Sequence, residues 1–550
     1  MGTTGRDPPG RRWLFACAVL LAAIPLLWPV TPPLVDVPGH IGRFRVQIDL
    51  DSTPGLQRFF SFQWHLIGNL GTDLLIIPLA RIFGLELGVK LIVLSIPVLT
   101  VAGLFAVARE IHGKVPPTIL FAVPLAYGYP FNFGFINFCL SIALSLLAFA
   151  CWLRLTRDSR FRLRTAIFVP LSCILWLTHA FGWGVLGLLA WSSELVRLRD
   201  QGKSWFRGAA IAGIECLPLC VPVLLMVFWR SGDVGGRTSG YFGIASKTFS
   251  LAAALRDRWL LWDSFSVGAI LVLIGSAIWD RHLELSRKLA IPAAVLFLIF
   301  MLLPAELFGS AYADMRLAPF MLMIAIAAIR LRPNAEFSLY WRMIVLGFAF
   351  MSVRLAGNTL SYLIADHEFE SATTALKYIP RNARVLSLVG DACGLEWAMP
   401  RYSHLGSFVI TRKQGFSNDQ WQLPGAQLLT VTYRPAGEFS ADPSEVTFSP
   451  ACQRKTLASL PIGWRVGRTA DQALQDFPRG AFDFVWLVHP SGFANRPPDD
   501  LILVWRGPDS ALYRVVADPR RAADARSRFS RRSAPVANLA EFSPSLARGV

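Results

Sequence analysis

The chain has 550 residues, of which 53% are hydrophobic and 17% charged, with a mean hydropathy of +0.45. That balance excludes an ordinary soluble globular protein and indicates one that threads a membrane many times. The formal charge of +17 does not point to nucleic acid, because the arginines cluster between apolar runs, where cytoplasmic loops of membrane proteins concentrate positive charge.

The first apolar run, Trp13 to Leu34, follows Arg6, Arg11 and Arg12. It is too long for a signal peptide and lacks a small-residue cleavage site, so it reads as a retained helix with residues 1–12 in the cytoplasm. Directly after it comes Val35-Asp36-Val37-Pro38-Gly39-His40, opening a first outer loop over 35–87 that also holds Arg43, Arg45, Asp49, Asp51 and Arg58. Pro38 suits the first turn of a helix, which places Asp36 at its N-cap and His40 about one turn on. Capping is one reading of Asp36; a carboxylate that works on a substrate at the membrane surface is the other. Leu66 to Gly84 is apolar but carries Asn69, Asp73, Pro78 and Arg81, and reads as an interfacial helix within this loop, since a crossing there would put the arginines of 154–164 outside.

Short apolar segments then come in pairs. Pro116 to Tyr129 and Ile136 to Leu153 flank Pro130-Phe131-Asn132-Phe133-Gly134, and Thr165 to Thr178 and Phe181 to Glu194 flank His179-Ala180. If both members of each pair cross, the basic stretches Arg109 to Lys114, Arg154 to Arg164 and Arg197 to Arg207 fall on one side. Longer runs follow at Ala209 to Trp229, Trp262 to Trp279, Leu289 to Leu303, Leu317 to Ile329 and Met343 to Ile364. The total is about eleven crossings over 13–364, with the N-terminus inside and the C-terminus outside. Glu215 is an intramembrane acid near the cytoplasmic end, where a structural hydrogen bond is the expected role.

After Ile364 the composition changes to that of a small α/β domain over 365–517. A helix is predicted at Glu368 to Tyr378 and strands at Ala383 to Val389, Ser407 to Thr411, Leu428 to Tyr433, Phe482 to Val488 and Leu501 to Trp505. Ala511 to Val516 would pair with the last of these across Gly507-Pro508-Asp509. Residues 518–550 hold Arg520, Arg521, Arg526, Arg528, Arg531 and Arg532 among Ala, Ser and Pro and read as a disordered basic tail. Six cysteines fall in apolar runs; Cys393 and Cys452 lie in the outer domain, where an oxidising compartment would allow a disulfide between them.

Five further residues have chemistry-bearing positions. His179 sits at an outer turn, as a helix cap or a substrate contact. Arg316 stands at the outer mouth of a helix, either as an anchor paired with Asp314 or as a phosphate ligand. Tyr129, Asn132 and Asn137 line the other outer turn, where they either form the turn or meet sugar hydroxyls. No Cys/His cluster and no closely spaced carboxylate set appears, so no metal or cofactor is expected; a divalent cation held by Asp36 and His40 is the one arrangement that the spacing permits.

A first apolar helix, a carboxylate directly after it, a long first outer loop, paired short crossings and a C-terminal outer domain together resemble the GT-C superfamily of integral membrane glycosyltransferases. The resemblance covers the layout over about residues 13 to 364. It implies a mainly α, polytopic bundle with an extracytoplasmic α/β domain in the bacterial cytoplasmic membrane. It also implies a polyprenyl-phosphate-linked sugar donor, a glycan, lipid or protein acceptor, and Asp36 as catalytic base or metal ligand. His40 would assist Asp36, while Arg43, His179, Asp314, Arg316 and Asn132 would bind substrate. Members carry Asp-Asp, Asp-x-Asp or Glu-x-Asp at this position; here the phrase is Asp36-x-Pro38-x-His40, and the literal Asp-x-Asp, Asp49-Leu50-Asp51, lies farther on. A transporter or flippase for a polar lipid, and a surface-polysaccharide ligase or polymerase, are the alternatives.

Overall fold

The first helix, α1 (Pro9–Leu21), does not continue to Leu34 as expected. It gives way to a 3-10 turn at Ile24–Leu26 and then to non-helical chain, because Pro25, Pro29, Pro32 and Pro33 remove backbone donors and restrict the residues before them. Two side chains satisfy the freed backbone: Lys90 donates to the Leu27 carbonyl and Asp366 accepts from the Val30 amide. The computed structural model describes residues 9–228, 238–307, 310–391, 396–423, 427–449, 468–490 and 497–516. Cys393, Cys452 and the basic tail from residue 518 lie outside the described residues. The cysteines of the apolar runs are free thiols.

The first loop holds α2 (Val37–Asp49), α3 (Pro54–Gln57), β1 (Phe60–Phe62) and α4 (Gly71–Phe83). The 13 residues of α4 reach about 20 Å at 1.5 Å each, short of a hydrocarbon core of about 30 Å. Its Asp73 and Ile76 are buried and its Leu74, Leu75, Ile82 and Phe83 are exposed, a two-faced helix of the interfacial kind.

The bundle is built from α5 (Leu85–His112), a 3-10 helix Pro117–Tyr127, α6 (Tyr129–Phe133), α7 (Ile136–Arg157), α8 (Phe161–Thr178), α9 (Ala180–Asp200), α10 (Trp205–Glu215), α11 (Val221–Phe228), α12 (Ile244–Ala252), α13 (Leu260–Trp279), α14 (Arg287–Leu302), α15 (Ala313–Ala327) and α16 (Phe337–Thr373). Among the described residues five of these are long and apolar enough to cross a membrane alone, and six if the pair α10 and α11, bent by 55° around Pro218, is one span. The other predicted crossings also coincide with helices: α9, with 21 residues, is long enough but less apolar, and the rest are shorter. Two small antiparallel pairs brace the bundle, β2 (Leu283–Leu285) with β5 (Ile329–Leu331), and β3 (Glu306–Leu307) with β4 (Ser310–Ala311).

The composition break at Ile364 is not a structural break. Helix α16 spans 37 residues and runs straight into the C-terminal domain. There β6 (Arg384–Asp391) is the centre of a mixed sheet. On one side it pairs in parallel with β10 (Phe484–Val488), followed by the antiparallel hairpin β12 (Ser510–Val515) and β11 (Leu501–Arg506). Its other edge is shared by β7 (Phe416–Ser417) and β9 (Val446–Phe448), which pair with opposite ends of the strand. The segment Ser407 to Thr411, predicted as a strand from its β-branched run, is instead the helix α17 (Ser407–Lys413). Its Phe408, Val409, Ile410 and Thr411 are all buried, against the sheet and α2, and that burial outweighs strand propensity. A last helix, α18 (Ala470–Asp476), opens with a capping box at Thr469 and Gln472.

The first loop belongs as much to this domain as to the bundle. Strand β1 pairs with β8 (Leu429–Val431), Phe60 opposite Val431, and Val46, Leu56, Phe59 and Phe60 complete the apolar core on one face of the sheet. Buried ion pairs lock the joint: Arg401 binds Asp257 and donates to the Pro33 carbonyl at 2.6 Å, while Arg354 binds Asp263 at 2.8 Å.

Candidate active site

Asp36 stands where α2 begins, at the end of the bundle that carries the C-terminal domain. Pro38 lies in the first turn as expected, and the His40 amide donates to the Asp36 carbonyl at 2.9 Å. The carboxylate itself makes no capping hydrogen bond. A buried acid at an N-cap that does not cap leaves its charge for something else.

The turn between α6 and α7 holds this acid in place. The Asp36 amide donates to the Phe133 carbonyl at 2.9 Å, and Gly134 closes on it with φ +100. A Cβ at Gly134 would come within 2.7 Å of the Asp36 nitrogen, so the glycine is needed both for its left-handed backbone and for the approach. The next residue, Phe135, carries the Arg316 guanidinium on its ring at 4.0 Å. One turn therefore seats both the carboxyl group and the guanidinium of the site.

Burial is the main cause holding the Asp36 carboxyl well above the ordinary carboxylate range; the nearby charge of Asp442 adds to it and that of Arg316 opposes it. His404 comes to Asp36 from the C-terminal domain, its Nε2 3.8 Å from Asp36 Oδ1. Its Nδ1 lies 3.1 Å from the Asp419 carbonyl, which can only accept, so Nδ1 carries a proton, and in the neutral ring Nε2 keeps its lone pair. Burial disfavours the charged form of His404 and, more strongly, that of His40, which also feels Arg43. Trp421 packs between the two imidazoles, 5.1 Å from His40 and 4.5 Å from His404. Burial also pushes the Asp419 carboxyl up to about 7, against hydrogen bonds that favour its charge, among them one from Ser407 Oγ at 2.8 Å.

The other residues singled out from the sequence are distributed as follows. Arg316 is half-buried, donates to the Ala311 carbonyl at 3.1 Å, and acts electrostatically on both Asp36 and His179. It is not paired with Asp314, which instead binds Lys247 at 3.1 Å. His179 caps α9, its Nδ1 accepting from the Phe181 amide at 3.1 Å. Arg43 is buried in an ion pair with Asp73, which ties α2 to α4, and Asn137 donates to the same carboxylate at 3.3 Å. Asn132 is saturated by protein: it donates to the Tyr127 and Arg256 carbonyls and accepts from Tyr362 at 2.6 Å. The structure thus brings Asp36, His40, Arg316 and His179 to one region and gives Arg43, Asp314 and Asn132 protein partners.

Arg316 also closes a cleft between α5, α7 and α15, of about 40 Å³. Ile96, Phe131, Phe138, Ile142 and Phe320 are among its lining residues, and Arg316 is the one charged member. The cleft joins an apolar wall to a cation, at a volume that is far below that of a ligand pocket.

No family model and no curated protein matches the chain. Its structure is similar to the crystal structure of ArnT from Cupriavidus metallidurans bound to undecaprenyl phosphate, at 14% identity and a TM-score of 0.45, over 93% of this chain and 99% of that one.

His404, Asp419, Trp421, Asp442 and Glu445 were not singled out from the sequence. They lie nearly 400 residues from Asp36, in loops with no motif spacing, and only the packing of the C-terminal domain onto α2 brings them there. Three of them form a compact group of possible ligands: one side-chain atom from each of His404, Asp442 and Glu445 lies within 4.8 Å of the others.

Proposed function

We propose that the protein is a membrane glycosyltransferase of the GT-C type. It moves a sugar from a polyprenyl-phosphate carrier to a glycan, lipid or protein acceptor at the outer face of the cytoplasmic membrane. The observation that supports this reading is the double position of Arg316, which lines an apolar cleft between helices and acts on the buried carboxylate of Asp36. In this reading the donor has its phosphate at Arg316 and its sugar C1 toward Asp36, and the cleft between α5, α7 and α15, about 40 Å³ in this structure, widens to admit the isoprenoid.

The chemistry asks little beyond that arrangement. The bond between C1 of the sugar and the phosphate oxygen breaks, and the electron pair leaves with polyprenyl phosphate, whose charge Arg316 stabilises. The acceptor hydroxyl oxygen forms the new bond to C1 and gives its proton to Asp36. His40 and Trp421 wall the acid from bulk water and fix its surroundings.

The test uses the full-length protein in lipid nanodiscs with a panel of polyprenyl-phosphate-linked hexoses and pentoses, reading release of polyprenyl phosphate. Wild type is expected to consume one member of the panel and Asp36→Asn none, with equal protein yield and membrane insertion. Full turnover by Asp36→Asn removes the mechanism. Cysteine labelling that places position 36 on the cytosolic side removes the outer-face assignment.

A further inference from the structure

We infer that His404, Asp442 and Glu445 form a binding site for one divalent transition-metal cation, with zinc the best match, beside Asp36. The inference is independent of the transferase reading.

Three loops of the C-terminal domain build the group. His404 lies in the turn that leads into α17. Glu445 is the last residue before β9, and its own carbonyl accepts from the Val389 amide at 2.7 Å, so the pairing of β9 with β6 sets its position. Asp442 is held by its amide, which donates to the Gln420 carbonyl at 3.1 Å, and Ser444 Oγ accepts from Asn418 at 3.0 Å. The same segment, 417–421, supplies the Asp419 carbonyl that orients His404. The ligands therefore stand on backbone that is already paired.

What the group lacks is a donor. Glu445 is fully buried, and its carboxylate receives no hydrogen bond from an N–H or hydroxyl group of another residue; the side chain that it meets is the Asp442 carboxyl, with which it would have to share a proton. Its neighbours within the group are a second carboxylate and the lone pair of His404 Nε2, and the Asp36 carboxylate stands 3.8 Å beyond that nitrogen. Two carboxylates and an imidazole lone pair converging in a buried place form a set of acceptors only, which requires a cation or shared protons.

A cation fits the donor set better. An imidazole whose other nitrogen donates to a backbone carbonyl is the usual state of a metal-bound histidine. One nitrogen with two carboxylate oxygens suits zinc or manganese, whereas magnesium and calcium favour oxygen alone. Tetrahedral ligation places ligand atoms about 3.3 Å apart, so the group, now within 4.8 Å, has to close by up to about 1.5 Å around the ion. Three protein ligands leave a position open, the arrangement of catalytic rather than structural zinc. This differs from the pairing of Asp36 with His40 that the sequence spacing permits: His40 is not part of the group, and Asp36 is its neighbour.

The experiment measures metal content of the full-length protein in detergent after chelation, reconstitution with zinc or manganese, and removal of excess, by mass spectrometry. Wild type is expected to retain one equivalent, and its thermal midpoint to rise with added metal. Glu445→Gln and His404→Ala should lose at least tenfold in affinity. Asp442→Asn, at a half-buried position less prone to misfolding, provides the second test of the ligand set, and Asp36→Asn should still bind. Cobalt substitution should give an absorption band sensitive to His404. Absence of stoichiometric metal in folded wild type would mean that the two carboxylates share a proton instead and would overturn the inference. Equal retention by folded Glu445→Gln and Asp442→Asn would overturn it as well.

Discussion

Two buried charge clusters stand at opposite ends of the bundle, and they are built on opposite principles. Far from the C-terminal domain, Arg164, Glu194, Arg197 and Glu215 form a closed set: Arg164 meets Glu194 at 2.5 Å and Glu215 at 3.3 Å, and Arg197 meets the same two acids. Trp152 and Thr156 donate to the remaining lone pairs of Glu194. Two cations balance two anions, and α8, α9 and α10 are tied together. Beside the C-terminal domain, Asp36 feels both Arg316 and Asp442, and Asp442 and Glu445 gather at His404, with the Glu445 carboxylate oxygens left without an N–H or hydroxyl donor. Charges completed by protein hold helices in place, whereas charges left incomplete are available to a substrate or an ion.

Substitutions at each end sharpen that contrast. The largest effect is expected from Asp36→Asn, where transfer should fall by about 10² to 10⁴-fold, the usual contribution of a general base. The thermal midpoint should hold or rise, because a neutral amide replaces a buried carboxylate. A loss of fold in this variant would show that the incomplete cluster is structural after all. Glu194→Ala should do the reverse and lower stability by about 3–5 kcal/mol, since it leaves Arg164 buried without its main partner. Thermal unfolding in detergent measures the loss, and the folded fraction should keep its specific activity.

Arg316→Ala should weaken donor binding by about 1.5–3 kcal/mol, the range for hydrogen bonds to a charged group. Initial rates across donor concentrations measure it, and Arg316→Lys should recover only part, as an ammonium lacks the planar fork. The smallest effect is expected at Gly134→Ala, about 1–3 kcal/mol of strain from a left-handed backbone and a Cβ pressed on Asp36. Here the rate should drop more than the thermal midpoint, because the strain falls on the acid. An equal loss in both would assign the turn to stability alone.

Some of this site was legible in one dimension. Asp36 stood out because a carboxylate directly after an apolar run is costly without a reason, and Arg316 for the same cause at a helix mouth. Arg43 and Asp314 have the same residue types, and Asn132 a related polar one, in equally suggestive places, yet each is engaged by a partner from another element: Asp73, Lys247 and Tyr362. Residue type and local spacing cannot separate these cases, because what differs is whether a distant side chain arrives to complete them. Ser407 to Thr411 failed for a related reason, a strand-like sequence made helical by what it packs against.

The amino-acid order alone determined that the chain spans a membrane repeatedly, where most of its helices lie, that an α/β domain follows, and which acid and which arginine to watch. Those properties follow from hydropathy and short-range pattern, which act within a few turns of chain. Only the tertiary structure decided that the first loop and the C-terminal domain share a core and a strand pair, and that His404, Asp442 and Glu445 come to rest beside Asp36. Contacts across some 400 residues depend on shape and burial between whole elements, and no local pattern encodes them.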